Sequence, residues 1–127
     1  IKIDLTVEDI VLQADEARLH QLFFNLISNA ILYNRRQGQV DIDCRRDEEQ
    51  AVITIADTGV GIPESALPQL FQRFFRVDFD RTRKLGGNGL GLSICKSIVE
   101  SYGGSIAVTS QVDHGTTFTV RMPLRDG

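Results

Sequence analysis

The chain has 127 residues, of which 42% are hydrophobic and 24% charged, close to the averages for a globular domain and unlike a disordered chain. Its formal net charge of −3 argues against a general nucleic-acid binder. Cys44 and Cys95 lie far apart and outside any CxxC or Cys/His pattern, which argues against a disulfide scaffold or zinc site and favours a reducing compartment. The first residue is Ile1, and strand-like alternation begins there, so we expect residues 1–127 to be one domain cut from a longer protein.

The first half of the chain predicts strands, a helix and a hairpin. Apolar and polar residues alternate over residues 1–15, which predicts two short strands. Asp15 is a plausible N-cap, and helical spacing of apolar residues predicts a helix from about 16 to 33. The segments GQVDIDCRR and QAVITIAD predict two strands joined by a polar turn.

The second half begins with a long segment without periodicity and ends in a helix and a hairpin. About 30 residues before Gly91 show neither the helical nor the strand spacing of apolar residues. A loop of that length in a small domain is usually functional. Apolar spacing then predicts a helix over 92–102, stopped by Gly103 and Gly104. SIAVTSQ and TTFTVRMPL predict a final hairpin. The element order predicts an α+β fold, with helices on one face of a mixed, mostly antiparallel sheet.

Two asparagines of the first predicted helix, Asn25 and Asn29, lie four residues apart and therefore share one face. Asparagine is a mediocre helix former, so two on one face suggest a role. Their amide oxygens suit a magnesium ion, which is often held by few protein groups together with phosphates. The alternative is that both side chains are merely solvated.

The segment ADTGVGIP places Asp57 at the end of a strand, followed by Gly59 and Gly61. A carboxylate only accepts hydrogen bonds, so in a pocket floored by bare backbone it suits the amino group of adenine and repels the carbonyl oxygen of guanine. Ile62 and Tyr33 could supply apolar walls. The alternative is an ordinary strand end and turn, which Asp and Gly also favour.

Basic residues are interleaved with aromatic residues in the segment FQRFFRVDFDRTRK, residues 71–84, and only Asp78 and Asp80 dilute the positive charge. Such a run fits a solvated loop or a nucleic-acid patch, but beside a helix N-terminus it fits better as clamps for phosphate oxygens. The basic residues of the run are Arg73, Arg76, Arg81, Arg83 and Lys84.

The segment GGNGLGLSIC, residues 86–95, places four glycines just before the second predicted long helix. Backbone N–H groups of a glycine-rich turn and of a helix N-terminus form an anion site. A hinge for the preceding loop is the alternative, and both roles are compatible. The pattern is neither a Walker loop nor a dinucleotide fingerprint.

Taken in order, NLISNA, DTGVGIP, FQRFFRVD, GNGLGL and GTTF resemble the N, first-glycine, F, second-glycine and third-glycine boxes of sensor histidine kinases. The resemblance is to their catalytic and ATP-binding domain, in the superfamily shared with gyrase, mismatch-repair ATPases and a heat-shock chaperone. It extends from about residue 15 to 124. It implies a two-layer α/β sandwich of about three helices on a mixed sheet, with ATP under a lid at about residues 63–87.

The resemblance also implies roles for individual residues. Asn29 would bind Mg²⁺ with Asn25 assisting, and Asp57 would contact adenine, helped by Gly61 and Thr116 through ordered water. Phosphate contacts would come from the basic segment and the glycine-rich turn: Arg76, Gly87, Gly89, Leu90 and Gly91. The other candidate nucleotide contacts are Tyr33, Gly59, Ile62, Arg81, Arg83, Lys84 and Leu92. Asn29 and Arg76 are the candidate catalytic residues.

The implied activity is transfer of the γ-phosphoryl group of ATP to a histidine on a separate helical hairpin, in cis or in trans within a dimer. A response regulator would act downstream, the location would be cytoplasmic, and neither nucleic acid nor direct membrane contact is expected. Neither His20 nor His114 lies in a phosphoacceptor motif, so the chain alone is not expected to phosphorylate itself.

Two positions depart from or qualify the family pattern. The N box usually carries a lysine where this chain has Leu32, which implies weaker nucleotide binding or replacement by another basic residue. ATP-hydrolysing relatives have a glutamate where this chain has Asn25, so transfer to a protein acceptor is expected to be favoured over hydrolysis.

Two other functions are compatible with the same fold. One is a serine kinase that binds and inactivates a transcription factor. The other is a nucleotide-sensing or docking module without catalysis, in which Leu32 marks lost chemistry.

Overall fold

The computed structural model describes residues 2–7, 14–72 and 91–124. Its strands are β1 (Lys2–Val7), β2 (Gln39–Asp47), β3 (Gln50–Asp57), β4 (Ser105–Gln111) and β5 (Gly115–Pro123). Its helices are α1 (Glu16–Leu32), a 3-10 helix (Glu64–Gln69) and α2 (Gly91–Ser101). The strand predicted after residue 7 and most of the basic segment lie outside the described residues.

Helix α1 begins where the sequence predicts. The Asp15 carboxylate accepts hydrogen bonds from the backbone N–H groups of Ala17 and Arg18, at 2.8 and 3.4 Å, and so caps the helix. The buried stripe of the helix, spaced at four residues, is Leu22, Leu26 and Ala30. The helix ends at Leu32, one residue earlier than predicted, and Tyr33 is its C-cap.

The described strands form one sheet in the order β1-β2-β3-β5-β4. β1 runs parallel to β2, and the other three pairings are antiparallel. Both predicted hairpins are present, with Glu48 (φ 55°) and Asp113 (φ 68°) in their turns. The predicted mixed, mostly antiparallel sheet is confirmed.

The helices cover one face of this sheet, and the core lies between the two layers. The largest fully buried side chains come from both layers: Leu22, Leu26, Val40, Ile55, Cys95, Val99, Val120 and Met122. The 3-10 helix is followed by Leu70, which joins the same core. α2 ends as predicted at the glycine pair, where the Gly104 N–H donates to the Val99 carbonyl at 3.0 Å. The two-layer α+β fold is therefore confirmed.

Strand register brings three chain segments together at one end of the sheet. Asp57, the last residue of β3, lies opposite Val40 of β2 and Thr116 of β5. Thr116 in turn lies opposite Ser110 of β4. This end of the sheet carries the predicted carboxylate.

No helix within the described part of the chain has the length and apolar character that crossing a bilayer requires.

Candidate nucleotide-binding site

The Asp57 carboxylate is held by one of its two oxygens. Oδ1 accepts hydrogen bonds from the backbone N–H groups of Gly59, at 2.9 Å, and Thr116, at 3.3 Å. Oδ2 makes no hydrogen bond to any residue within 2–7, 14–72 and 91–124. One oxygen thus fixes the orientation of the side chain, and the other is available to accept a hydrogen bond from a ligand.

Burial raises the pKa of the Asp57 carboxyl above its ordinary value. The N–H groups of Gly59 and Thr116 lower that pKa, but they offset only part of the rise. The carboxyl is partly removed from water because it lies between two strands and the turn that follows it. A partly dehydrated acceptor of this kind gains more from a ligand donor than an exposed one does.

The turn after Asp57 packs directly against the end of α1. The Val60 N–H donates to the Tyr33 carbonyl at 3.1 Å. A Cβ atom at Gly59 would overlap that same carbonyl oxygen and lie 2.9 Å from Asp57 Oδ1, so only glycine fits there. Gly61 follows with φ 75°, a conformation that also favours glycine. Gly59 therefore brings Tyr33 and Asp57 together, while Gly61 lets the turn approach the Gln111 backbone.

The far side of the turn is tied to the β4–β5 hairpin. The Ile62 N–H donates to Ser110 Oγ at 2.7 Å, and Ser110 Oγ lies 2.8 Å from Thr116 Oγ1. Thr116 is only 7% exposed. Thr116 thus lies beside Asp57, and Ile62 is joined to Thr116 through Ser110. Thr116 contacts Asp57 through its own backbone N–H.

Ser110 is a site residue that sequence reasoning missed. Its hydroxyl also donates to the Gly115 carbonyl at 3.0 Å, so it joins the turn, β4 and β5. A serine in an alternating strand gives no signal of such a role. Only the register of β4 against β5 would have identified it.

Helix α1 spaces the two ends of the site. Asn25, Asn29 and Tyr33 follow one another at four-residue intervals on one face, which places Asn25 about 12 Å along the helix axis from Tyr33. The Tyr33 end contacts the turn after Asp57. At the other end, Asn25 Nδ2 donates to the Gly91 carbonyl at 3.4 Å. The Asn29 amide, between these ends, makes no hydrogen bond to the described residues.

Gly91 is the first residue of α2, so the Asn25 end of the site meets a helix N-terminus. The aligned peptide dipoles at a helix N-terminus favour an anion. Leu92, the next residue, packs against the core. The described part of the site therefore has a carboxylate at one end and a positive helix end at the other.

Cys95 of α2 contacts the Asn25 side chain but is not a candidate nucleophile. Its thiol donates to the Leu22 carbonyl at 3.7 Å, and burial raises its pKa to about 12. A thiol with so high a pKa is not a thiolate at neutral pH, so it is unreactive.

The described candidate residues form one strip along α1 and the sheet end: Asn25, Asn29, Tyr33, Asp57, Gly59, Gly61, Ile62, Gly91, Leu92 and Thr116. The other candidates lie outside the described residues: Arg76, Arg81, Arg83, Lys84, Gly87, Gly89 and Leu90. Leu32 is partly buried at the last position of α1. Its effect on nucleotide affinity stays a prediction.

Because the pKa of Asp57 is raised in the folded state, the ionised side chain should destabilise the fold by an amount that depends on pH. Between the ordinary Asp pKa of about 3.9 and the higher folded value, the folded state binds more protons than the unfolded state. The contribution of Asp57 to stability therefore falls as pH rises through that window. The free energy of unfolding of Asp57→Asn minus that of wild type should increase with pH across the window and then level off. Urea titrations at a series of pH values measure this difference, and a difference that is constant or decreases would contradict the prediction.

Residues 14–126 match the family described as histidine kinase-, DNA gyrase B-, and HSP90-like ATPase. A similar curated protein is the circadian input-output histidine kinase CikA of Synechococcus elongatus, 45% identical over 113 residues, covering 89% of this chain and 15% of that protein. The chain spans between 15% and 27% of the length of three such relatives.

Solved structures agree with these sequence matches. The mycobacterial sensor histidine kinase MprB superposes with a TM-score of 0.86 at 27% identity, over 99% of this chain and 85% of that one. Full-length ShkA in complex with AMPPNP superposes with a TM-score of 0.82 at 26% identity, over 99% of this chain and 26% of that one. The matched family covers both the helix that carries the asparagines and the sheet end that carries Asp57, and the chain therefore belongs to the histidine kinase-, DNA gyrase B- and HSP90-like ATPases.

Proposed function

We propose that this chain is the ATP-binding catalytic domain of a sensor histidine kinase. It binds ATP along the strip between Asp57 and Gly91 and presents the γ-phosphoryl group to a histidine on a separate helical domain. The observation that carries the proposal is the Asp57 carboxylate, with Oδ1 fixed by two backbone N–H groups and Oδ2 available to a ligand. The AMPPNP complex of ShkA, a structural neighbour, supports nucleotide binding by this fold.

Asp57 would select adenine by hydrogen bonding. Its available oxygen accepts from the exocyclic amino group of adenine and repels the carbonyl oxygen at the same position of hypoxanthine or guanine. Gly59 and Gly61 let the turn after Asp57 pack closely against the Tyr33 carbonyl and the Gln111 backbone, which fixes the protein surface beside the carboxylate. Tyr33 and Ile62 border this end of the site.

The triphosphate would extend along α1 toward Gly91, where a helix N-terminus stabilises negative charge. The donor set near it fits Mg²⁺ held mainly by phosphates: the Asn29 amide is unpaired within the described residues, and no cluster of three or more His, Cys, Asp or Glu occurs there. Bound Mg²⁺ would neutralise phosphate charge. Asn29 would orient it, with Asn25 alongside. Arg76 and the basic and glycine-rich residues between 81 and 90 would supply the remaining phosphate contacts.

Asn25 favours phosphoryl transfer over hydrolysis. Its amide cannot take a proton from water, and its Nδ2 is engaged with the Gly91 carbonyl. Without a general base at this position, a positioned protein nucleophile has the advantage. The acceptor would be the histidine of a helical hairpin, in the same kinase or its dimer partner, and a response regulator would receive the phosphoryl group next. We place this reaction in the cytoplasm.

The substitution Asp57→Asn should replace a hydrogen-bond acceptor with a donor at the end of the site that would bind adenine. The two N–H groups retain the oxygen of the new amide, so its NH₂ group takes the place of Oδ2 and faces the donor of adenine. Loss of a charge-assisted hydrogen bond should weaken ADP binding about 10- to 100-fold. Binding of inosine diphosphate, which presents an acceptor, should be weakened less. Calorimetric titration with both nucleotides measures the two effects.

The matched control is Asp41→Asn, which removes the same charge from an exposed position on β2. Its affinity for ADP should equal that of wild type. Equal ADP affinities for wild type and Asp57→Asn would contradict adenine recognition by this carboxylate.

Radiolabelled ATP tests the division of labour between this chain and its acceptor. Incubated alone with [γ-³²P]ATP, the chain should acquire no label, since it lacks the acceptor histidine. Added helical-hairpin domain of its own kinase should become labelled, and Asn29→Ala should abolish that labelling. Strong label on the isolated chain would overturn the proposal.

A further inference from the structure

Asn34 is one of the few buried polar side chains among the described residues, with 6% of its surface exposed. It follows Tyr33 at the end of α1. Its Oδ1 accepts from the Arg35 N–H at 2.8 Å and from the Thr58 hydroxyl at 3.2 Å, and its Nδ2 donates to the Gln39 carbonyl at 3.0 Å. A buried amide satisfied on both sides is held in one orientation.

Thr58 completes a closed set of hydrogen bonds. Its N–H donates to the Gln39 carbonyl at 3.1 Å, and its hydroxyl accepts from the Gln39 N–H at 2.8 Å. Asn34, Gln39 and Thr58 therefore join the end of α1, the start of β2 and the turn after β3. We call these three residues the Asn34 latch.

The backbone at Gly38 packs closely against the latch. A Cβ atom at Gly38 would overlap Asn34 Oδ1 and lie 3.0 Å from the Thr58 hydroxyl. The backbone must approach the amide closely there, which only glycine permits.

The latch adjoins one of the two N–H groups that orient the Asp57 carboxylate, that of Gly59. Thr58 directly follows Asp57 and directly precedes Gly59, whose N–H holds Asp57 Oδ1 at 2.9 Å. A shift of Thr58 would move that N–H and rotate the carboxylate. It would also change the distance from the carboxylate to α1, which carries Asn25 and Asn29.

We propose that Asn34 and Thr58 are positioning residues that set base selectivity, because the latch fixes the direction in which Asp57 Oδ2 points. This inference rests on the proposed function. A purely structural latch would affect stability alone, whereas a positioning latch also affects the ratio of ADP to inosine diphosphate affinity.

The test compares Thr58→Val, which removes the hydroxyl at nearly constant shape, with Thr58→Ser, which keeps it. Thr58 is exposed, so the fold should tolerate both changes. Thr58→Val should weaken ADP binding about tenfold, which corresponds to the free energy of one hydrogen bond. It should also lower the ratio of ADP affinity to inosine diphosphate affinity. Thr58→Ser should keep both values within about twofold of wild type. Circular dichroism and thermal unfolding report stability separately.

A second variant, Asn34→Asp, keeps an oxygen that can accept from the Arg35 N–H. It replaces the NH₂ group that donates to the Gln39 carbonyl with a second oxygen, which cannot donate. It should lower the same affinity ratio, and adding Thr58→Val to it should have little further effect, because both act through one unit. Additive losses would overturn the latch, as would an unchanged ratio in Thr58→Val, with or without a lower Tm. A wild-type chain that binds no ADP would overturn the proposed function and this inference together. Wild-type binding combined with an unchanged ratio in Thr58→Val would overturn this inference alone.

Discussion

The hydrogen bonds that two backbone N–H groups donate to one oxygen of Asp57 are the constraint on which the site depends. They require β3 and β5 to pair in the observed register, so that Thr116 lies beside Asp57. They also require the chain to turn sharply after β3, so that the Gly59 N–H points back. The resulting carboxylate is oriented without using its second oxygen, and burial raises its pKa. The site thus retains an electrostatic cost that a bound donor would relieve.

Helix α1 fixes the position of the other candidate contacts relative to Asp57. Asp15 fixes where the helix begins, and its buried stripe fixes which face meets the sheet. The face that remains carries Asn25, Asn29 and Tyr33 at regular intervals. Contact between Tyr33 and the turn sets one end of the strip, and contact between Asn25 and Gly91 sets the other. A nucleotide would therefore meet its base and phosphate contacts at a spacing that one rigid helix determines.

Local patterns in the sequence predicted the elements well, because capping by Asp15, apolar periodicity and the glycine pair after α2 act over a few residues. The resemblance of five ordered boxes also predicted that Asp57, Gly61 and Thr116 lie near one another. Ser110, Asn34 and Thr58 could not be assigned in the same way. Their roles arise from contacts between residues distant in sequence, such as Thr58 with Gln39 and Ser110 with Ile62. The sequence around a polar residue in a strand or turn does not indicate which distant residue it will contact.

Amide chemical shifts of the ¹⁵N-labelled chain, measured by NMR during titration with ADP, test the central claim most directly. They report binding and its location at once. The account predicts saturable shifts that are largest at Gly59, Gly61 and Thr116, with smaller shifts along α1 toward Gly91. Unchanged shifts at those amides, or changes confined to the outward-facing residues of β2 and β4, would contradict it.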